Sequence, residues 1–324
     1  MVVCNGYCIY DNLLFATTIF SGVLYGGVMF TIIKHRSDHF KGQYWLFIIN
    51  LATADIAFLL VFYGLYMFPT WGWMIWFYQW GSGTLAGFSM VTYWWLKYCQ
   101  FFGVALVSTD RLLAFAIPYK HGTLWKEWKG TLALVSQWAL AVVSTAYWQL
   151  GVCGFKYIYL GNSTSRMKLT STTLACRKGL FAQFTLLSLI LCSVLVCMYA
   201  FMFVRARKQI TAALADQAAL KRHRRSLKLA VNGFVIFLSF CLMTAYNYYV
   251  YLNPKFVNKN AALHKACLAT TSLLFTLVNP FALLMFSPKL QNEFLKLLHM
   301  KKATNSVAPA SVVAGPKTCK CSKA

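Results

Sequence analysis

Charged side chains interrupt the long apolar runs of this chain at three places, and these residues could do chemistry. Asp55 and Lys97 each lie inside a run, and Asp110-Arg111 lies at the end of one. A charge in hydrocarbon is costly, so it usually persists only with a partner or a purpose. Such residues could bind an ion or a ligand, pair with one another, or switch between two arrangements of the chain.

Enzyme chemistry is not indicated by the other reactive side chains. A membrane hydrolase needs clustered histidine and aspartate ligands for a metal, or a nucleophile beside a base. The six histidines instead fall in loops, at segment ends or in the tail: His35, His39, His121, His223, His264 and His299. We therefore expect no enzyme, no metal site and no cofactor.

The composition is that of a membrane protein. Apolar residues make up 59% of the 324 residues and charged residues 12%, whereas a soluble domain carries about 25% charged residues. The net charge of +24 could suggest a nucleic-acid partner. However, the cations lie in short segments between apolar runs and not on one polar face. We expect a lipid bilayer, and no nucleic acid, as the partner.

Seven apolar runs are long enough to cross a hydrocarbon layer of about 30 Å. Each should be a helix, because lipid offers no hydrogen-bond partners to an open backbone. The predicted spans are Asn12–Ile33, Tyr44–Phe68, Thr84–Thr109, Thr131–Leu150, Leu180–Val204, Leu227–Tyr251 and Ala262–Phe286. The sequence therefore predicts an all-α membrane protein, a seven-transmembrane-helix bundle.

The segments on either side of the predicted bundle, 12–286, have different characters. Residues 1–11 form a short N-terminus. Pro288–Met300 is amphipathic, which predicts a short helix lying on the membrane surface over 287–300. The tail, 301–324, is rich in Ala, Ser, Lys and Pro and is predicted to be disordered.

The distribution of Lys and Arg predicts the orientation. One set of alternating segments holds 22 of the 31 cations, the other set holds 8, and Lys97 is the remaining one. Cytoplasmic segments carry the excess of cations. We therefore expect a plasma-membrane protein with its N-terminus outside and its C-terminus in the cytoplasm. Asn162 begins a glycosylation triplet on a predicted outer loop, which agrees with this orientation.

Five cysteines fall on the outer, oxidising side, where disulfides persist. These candidate disulfide cysteines are Cys4, Cys8, Cys153, Cys176 and Cys267. Because the number is odd, at least one is free or pairs elsewhere. The connectivity cannot be deduced from the sequence.

Motifs within the spans resemble those of rhodopsin-like G-protein-coupled receptors. In chain order they are Asn50 to Asp55 in span two, Asp110-Arg111 at the end of span three, Trp138 in span four and Asn279-Pro280 in span seven. Together, in this order and on these helices, they cover nearly the whole chain. The resemblance implies a protein that binds an extracellular small molecule or peptide and activates a heterotrimeric G protein.

The resemblance also implies roles for particular residues. Asp55 would lie in a polar site in the middle of the bundle. Asp110-Arg111 would form the switch that meets the G protein, and Asn279-Pro280 would let the last helix rearrange. Tyr199 matches a family tyrosine near the inner end of span five and belongs with this switch.

Departures from the family pattern indicate a divergent member. Span one has Tyr25-Gly26-Gly27-Val28 where the family has an asparagine, and span three lacks the cysteine that usually bonds the second outer loop. Span six lacks the usual Trp-x-Pro. Such losses are similar to those of nematode chemosensory receptors, which implies a chemosensory role. The alternative is a transporter or channel without G-protein coupling, although the sequence shows neither inverted repeats nor broken helices.

Lys97 has two interpretations. It precedes Arg111 by 14 residues, so it lies on the same helix face about 21 Å further out. Gln100 falls on the same stripe. Lys97 could pair with Asp55, so that Asp55, Lys97 and Gln100 form a mid-bundle polar site. Alternatively, it could project into the outer half of the bundle and bind an anionic ligand.

The outer end of span three supplies the other candidates for a ligand pocket. Tyr93 and Trp94 lie one turn beyond Lys97 and could line the pocket with it. For most of these rings an interfacial aromatic belt is the alternative. The outer half of span three contains no acidic residue, so a biogenic amine is not the expected ligand.

Overall fold

Seven long helices follow one another in the order that the apolar runs predict. The computed structural model describes residues 6–37, 40, 42–149, 153–159, 166–212, 217–253 and 261–298. The long helices among these residues are helix one (Gly6–Lys34), helix two (Gln43–Val61), helix three (Ser82–Ala116), helix four (Glu127–Gln149), helix five (Leu174–Ala212), helix six (Gln217–Leu252) and helix seven (Ala261–Phe286). Every predicted span coincides with one of them over most of its length.

Six of these helices, judged over the described residues, are long and apolar enough to cross a membrane. The apolar stretches are Tyr10–Lys34, Gln43–Trp71, Gly83–Ala116, Lys178–Thr211, Ala230–Leu252 and Ala266–Phe286. Helix four has 23 residues, enough for a span, but it is not one of the six. Polar residues such as Gln137, Ser144 and Thr145 lower its mean hydropathy. For helix four the crossing stays a prediction.

Helices five and six continue past the predicted spans at the end that the charge distribution places inside. Helix five ends at Ala212 and helix six begins at Gln217, whereas the predicted spans end at Val204 and begin at Leu227. Lys and Arg end the apolar pattern there, but they are good helix formers and do not interrupt the backbone ladder. The two helices therefore extend beyond their apolar stretches.

A two-stranded antiparallel sheet, which the all-α prediction missed, lies between helices four and five. β1 (Phe155–Tyr159) pairs with β2 (Met167–Ser171). Alternate side chains of the hairpin point inward and outward, so that Tyr157 is buried while Lys156 and Lys168 are exposed. The protein is mostly helical, and the hairpin was not predicted because two five-residue strands are too short to stand out within a basic loop.

A disulfide between Cys153 and Cys176 closes the loop that carries this hairpin. Its Cα–Cα distance of 5.6 Å is in the usual range. Of the other candidate cysteines, Cys267 is free, whereas Cys4 and the side chain of Cys8 lie outside the described part of the chain. Asn162, the predicted glycosylation acceptor, also lies outside it.

The hairpin is anchored where the outer end of helix two becomes irregular. Helix two continues as a π-helix, Phe62–Met67, and Pro69 follows in the next turn. Proline has no N–H, so Pro69 cannot donate a backbone hydrogen bond to the carbonyl of Gly64 or Leu65. Tyrosine hydroxyls bond to these carbonyls instead. Tyr157 donates to Leu65 O at 2.8 Å, and Tyr78 donates to Gly64 O.

Both tyrosines are suited to this role. Burial raises the pKa of Tyr78 and of Tyr157 to about 12, so each hydroxyl keeps its proton and can donate it. Tyr157 Oη also lies 2.9 Å from Ser89 Oγ on helix three. The hairpin is thus fixed to the outer ends of helices two and three.

Helix four is fixed to helices two and three by a buried amide and an indole. Gln137 Nε2 donates to the carbonyl of Cys99 at 2.9 Å, and Asn50 Nδ2 donates to Gln137 Oε1 at 2.8 Å. Trp138 Nε1 donates to Asn50 Oδ1, also at 2.8 Å. The close approach of helices three and four depends on Gly103, because a Cβ there would lie 3.1 Å from Gln137 Nε2.

The helix that follows helix seven, Pro288–Leu297, packs against the bundle. Ser287 caps it, accepting a hydrogen bond from Leu290 N at 3.4 Å. Leu290 and Phe294 are buried, and a Cβ at Gly27 of helix one would lie only 2.9 Å from the Phe294 ring. The predicted helix therefore forms, and its placement on the membrane surface stays a prediction.

Removal of the Tyr157 hydroxyl should loosen the outer end of the bundle. Tyr157→Phe leaves the Leu65 carbonyl without this donor, which costs about 1–3 kcal/mol. We expect the thermal midpoint of the purified protein to fall by roughly 1.5–4.5 °C. Tyr248→Phe is the matched control, because Tyr248 is 42% exposed. Equal midpoints for the two variants would contradict the anchoring role.

Candidate functional site

Asp55 is the centre of a buried polar network in the middle of the bundle. Tyr25 Oη donates to Asp55 Oδ2 at 2.5 Å, and Gln100 Nε2 donates to Oδ1 at 2.8 Å. Asn279 Nδ2 bonds to Tyr25 Oη and lies 3.5 Å from Asp55 Oδ2. Gln100 Nε2 also reaches Thr276 Oγ1 at 3.0 Å. Helices one, three and seven therefore all supply donors to a carboxylate on helix two.

Sequence reasoning missed two members of this network, Tyr25 and Thr276. Both are fully buried. Tyr25 begins the segment where the family carries an asparagine, and this substitution was the available signal. Its phenol bridges helices one and two through Asp55 and helices one and seven through Asn279.

Lys97 and Asp55 interact electrostatically but form no contact ion pair, so the pairing of the two stays a prediction. No ion pair within 4.0 Å joins them among the described residues. The Lys97 ammonium, 1% exposed, instead contacts groups that carry no charge. Its Nζ lies 3.7 Å from Met243 Sδ and 4.0 Å from the Phe58 ring centroid. The Phe275 centroid is 5.6 Å away.

Asn279 and Pro280 lie within helix seven beside this network. Pro280 has no N–H to bond the carbonyl of Thr276, so the backbone ladder is weakened next to Asn279. Asn279 Oδ1 and Gln100 Oε1 are buried acceptors without a hydrogen-bond partner in the described structure. A polar centre with spare acceptors next to a weakened turn can rearrange at low cost.

Arg111 lies in a second buried cluster at the inner end of helix three. Its Nη2 is 2.6 Å from Asp110 Oδ2, and His121 Nε2 is 3.0 Å from Asp110 Oδ1. The guanidinium also stacks on Tyr44, with Cζ 3.6 Å from the ring centroid. His121 comes from the short helix Pro118–Leu124, so the connection between helices three and four closes over this cluster.

Helix six joins the cluster through an amide and not through an acid. Asn232 Nδ2 donates to Tyr44 Oη at 3.3 Å. Helix six, Gln217–Leu252, contains no Asp or Glu, so it offers Arg111 no carboxylate. Sequence reasoning missed both Tyr44 and Asn232, because they are 188 residues apart and no local pattern links them.

Tyr199 approaches the same region from helix five. Its hydroxyl is 3.0 Å from Ser108 Oγ on helix three, and its ring stacks on Phe237 of helix six. A Cβ at Gly233 would lie 2.6 Å from Tyr199 Oη. Glycine at 233 therefore lets helices five and six approach each other closely. The structure brings Asp110, Arg111 and Tyr199 together at the inner end of the bundle.

The predicted outer pocket residues are packed among other aromatic rings. Tyr93 stacks on Tyr66 and contacts Phe58, with centroid distances of 5.8 and 5.4 Å. Trp94 packs edge-on against Phe184 and lines a small apolar crevice that also reaches the hairpin. Among the described residues, no group of three or more His, Cys, Asp or Glu could hold a metal ion.

Long apolar helices, a disulfide-closed hairpin and two buried polar centres define a multi-pass helical membrane protein. A family profile described as serpentine type 7TM GPCR chemoreceptor Srv matches residues 14–300. The chain therefore belongs to this family of nematode chemoreceptors. No curated protein matches it. The family is one of receptors, not of enzymes.

Loss of the Tyr25 hydroxyl should weaken the mid-bundle network. Tyr25→Phe removes a bond to a buried carboxylate, worth about 2 kcal/mol. We expect the thermal midpoint to fall by roughly 3 °C. The matched control is Tyr251→Phe, since Tyr251 is 49% exposed. An unchanged midpoint for Tyr25→Phe would show that Asp55 does not depend on this donor.

The contact between helices five and six can be tested by a rescue. Gly233→Ala should destabilise the protein, because the new Cβ meets Tyr199 Oη. Tyr199→Phe removes that oxygen, and in the double variant the next ring atom, Cζ, is 3.7 Å away. We expect Gly233→Ala to cost less stability in the Tyr199→Phe background, measured by thermal midpoints. Strictly additive costs would argue against the close approach.

Proposed function

We propose that the protein is a chemosensory G-protein-coupled receptor. It binds an extracellular small molecule or peptide and activates a heterotrimeric G protein at its cytoplasmic face. The observation that carries the proposal is the buried Arg111 cluster, in which Tyr44 and Asn232 connect helix three to helices two and six. Family membership supports it independently.

The cluster provides a resting state that is held by weak interactions. An arginine stacked on a tyrosine contributes about 1–2 kcal/mol and a neutral hydrogen bond about 1 kcal/mol. Only the hydrogen bond reaches helix six, since the stacking joins helices two and three, so it favours the closed arrangement by roughly 5-fold. A ligand that binds the open state more tightly by well over this factor would reverse this preference. The connection is therefore strong enough to keep the receptor inactive and weak enough to be released.

Release of helix six would uncover Arg111 for the G protein. When the inner end of helix six moves outward, Asn232 leaves Tyr44, and the tyrosine ring loses its support over the guanidinium. Tyr199 is stacked on Phe237 of helix six. It would therefore either move with helix six or lose this contact. Asn279-Pro280 and the Asp55 network provide the point in helix seven at which the rearrangement can begin.

The inner extensions of helices five and six supply a surface for the G protein. Helix six begins 13 residues before its apolar stretch, Ala230–Leu252, and this segment carries Lys221, Arg222, Arg224 and Arg225. Such a basic segment also attracts anionic lipid headgroups. The 22-to-8 distribution of cations supports a cytoplasmic location for this segment.

The proposed topology completes this arrangement. The protein lies in the plasma membrane, with its N-terminus outside and its C-terminus in the cytoplasm. Helix four crosses the membrane as the other six long helices do, which gives seven crossings. Helix Pro288–Leu297 lies along the inner surface of the membrane, where Lys296 pairs with Glu293 at 2.9 Å. A transporter or channel is not proposed, since the family is one of receptors.

Ligand-free G-protein activation tests the restraint on Arg111. Asn232→Ala removes the bond from helix six to Tyr44, so we expect basal activation to rise several-fold at equal surface expression. Nucleotide exchange on a promiscuous G protein in isolated membranes measures it. Asn253→Ala, at the outer end of the same helix, is the matched control. Basal activity equal in both variants would refute the restraint.

Arg111→Ala tests whether the same cluster carries coupling. We expect this substitution to abolish the extra activation of Asn232→Ala when the two are combined, because the G protein then lacks its contact. Surface labelling of the intact cells controls for expression. Activation that survives Arg111→Ala would show that coupling does not depend on this residue.

A further inference from the structure

Lys97 carries a buried positive charge that the protein itself leaves without an ion pair. Its ammonium is 1% exposed and is surrounded by a thioether and two aromatic rings. Aromatic faces attract a cation only weakly compared with a carboxylate. Burying a charged lysine in such surroundings costs free energy. An apolar residue could fill the same space without this cost.

Among the described residues, no acidic side chain forms a contact ion pair with Lys97, and Asp55 acts on it only from beyond 4.0 Å. The whole sequence has seven: Asp11, Asp38, Asp55, Asp110, Glu127, Asp216 and Glu293. Asp55 already accepts hydrogen bonds from Tyr25 and Gln100, and Asp110 is held by Arg111 and His121. In the predicted outer segments only Asp11 occurs, and it accepts a bond from Trp71 Nε1 at 3.1 Å.

Hydrogen-bond donors are present one helical turn further out, on the elements that contact Lys97. Asn247 follows Met243 by one turn on helix six and donates only one of its two amide protons to the Met243 carbonyl. Ser272 precedes Phe275 by one turn on helix seven. Both are at most 2% exposed. Thr244 Oγ1, also on helix six, is buried and has no hydrogen-bond partner among the described residues.

The outer surface is positively charged. The outer segments hold eight cations against one acid. Lys156 and Lys168 project from the exposed face of the hairpin, and Arg166 and Lys178 are also exposed. No ion pair within 4.0 Å involves any of these four among the described residues. Such a surface raises the local concentration of anions and speeds their association.

We propose that Lys97 anchors the ligand site and that the ligand is a small organic anion, a carboxylate in the first instance. The proposal deepens the proposed function, since it names the ligand class of that receptor. The ligand enters past the basic hairpin, its carboxylate meets the Lys97 ammonium, and Asn247, Ser272 and Thr244 donate to it. Charge pairing in a dry site gives both affinity and selection against neutral analogues.

Met243 connects this site to helix six. Its thioether contacts Lys97, and methionine is flexible enough to leave when a carboxylate arrives. Met243 and Asn232 lie on the same helix, 11 residues apart, which is about three turns. Displacement of Met243 therefore acts on the helix that restrains Arg111.

The first test needs no ligand. In the purified full chain, Lys97→Met removes the charge and keeps a long flexible side chain. If the protein leaves this charge without compensation, the thermal midpoint of the variant should equal or exceed that of the wild type. A marked fall would show that Lys97 is neutralised within the protein, and it would overturn the proposal.

The second test measures binding directly, without a G protein. The probes are the straight-chain carboxylates from acetate to octanoate and benzoate, each compared with its primary amide. We expect at least one carboxylate to raise the thermal midpoint saturably, its amide to have no effect, and Lys97→Met to weaken the response at least tenfold. Lys97→Arg should retain part of it, and Lys228→Met, an exposed lysine at the other end of the bundle, should leave the saturated response unchanged.

Three results would overturn the proposal: equal shifts for acids and amides, equal shifts for wild type and Lys97→Met, or no shift with any carboxylate in the series. Because the readout is binding, a receptor that binds a carboxylate but fails to activate a G protein would contradict the proposed function alone. A receptor that signals normally with Lys97→Met would contradict the ligand assignment alone.

Discussion

The absence of water inside a bilayer is the constraint on which the rest of this structure depends. A charge or an amide that is buried there must find its partner within the protein. Asp55 meets this requirement by collecting donors from Tyr25 and Gln100, with Asn279 beside them. Since those residues belong to helices one, three and seven, one carboxylate on helix two determines how four helices pack. The aromatic packing around the network adds stability, but it does not by itself select this register.

The charges at the three charged sites of the bundle lack water, and the protein surrounds each of them differently. Asp55 and Asp110 each bond to neighbouring side chains, whereas Arg111 Nε has no hydrogen-bond partner among the described residues. Lys97 contacts only aromatic rings and a thioether. Satisfied sites hold the bundle together, and a site left unsatisfied is available to a ligand. The Arg111 cluster combines both properties, because its bond to helix six, through Tyr44 and Asn232, is a single neutral hydrogen bond.

The sequence allowed the positions of the helices and the motif residues to be predicted, because hydropathy follows the bilayer and charges within it are rare. Contacts between residues far apart in the sequence could not be predicted from it. Tyr44 and Asn232 carry no local signal, and the hairpin Phe155–Ser171 is hidden in a short basic loop. Whether Lys97 contacts Asp55 could not be predicted for a related reason. Helical spacing gives the height of a side chain, but the direction of its ammonium depends on packing against Phe58 and Met243.

The central claim is that Asn232 holds the inner end of helix six against the Arg111 cluster. Spin labels at Lys120 and Lys228, both exposed, would report the distance from the helix three–four connection to helix six by pulsed electron resonance. The account predicts one short distance in the wild-type protein and an added longer population in Asn232→Ala. Identical distance distributions in the two proteins would contradict it.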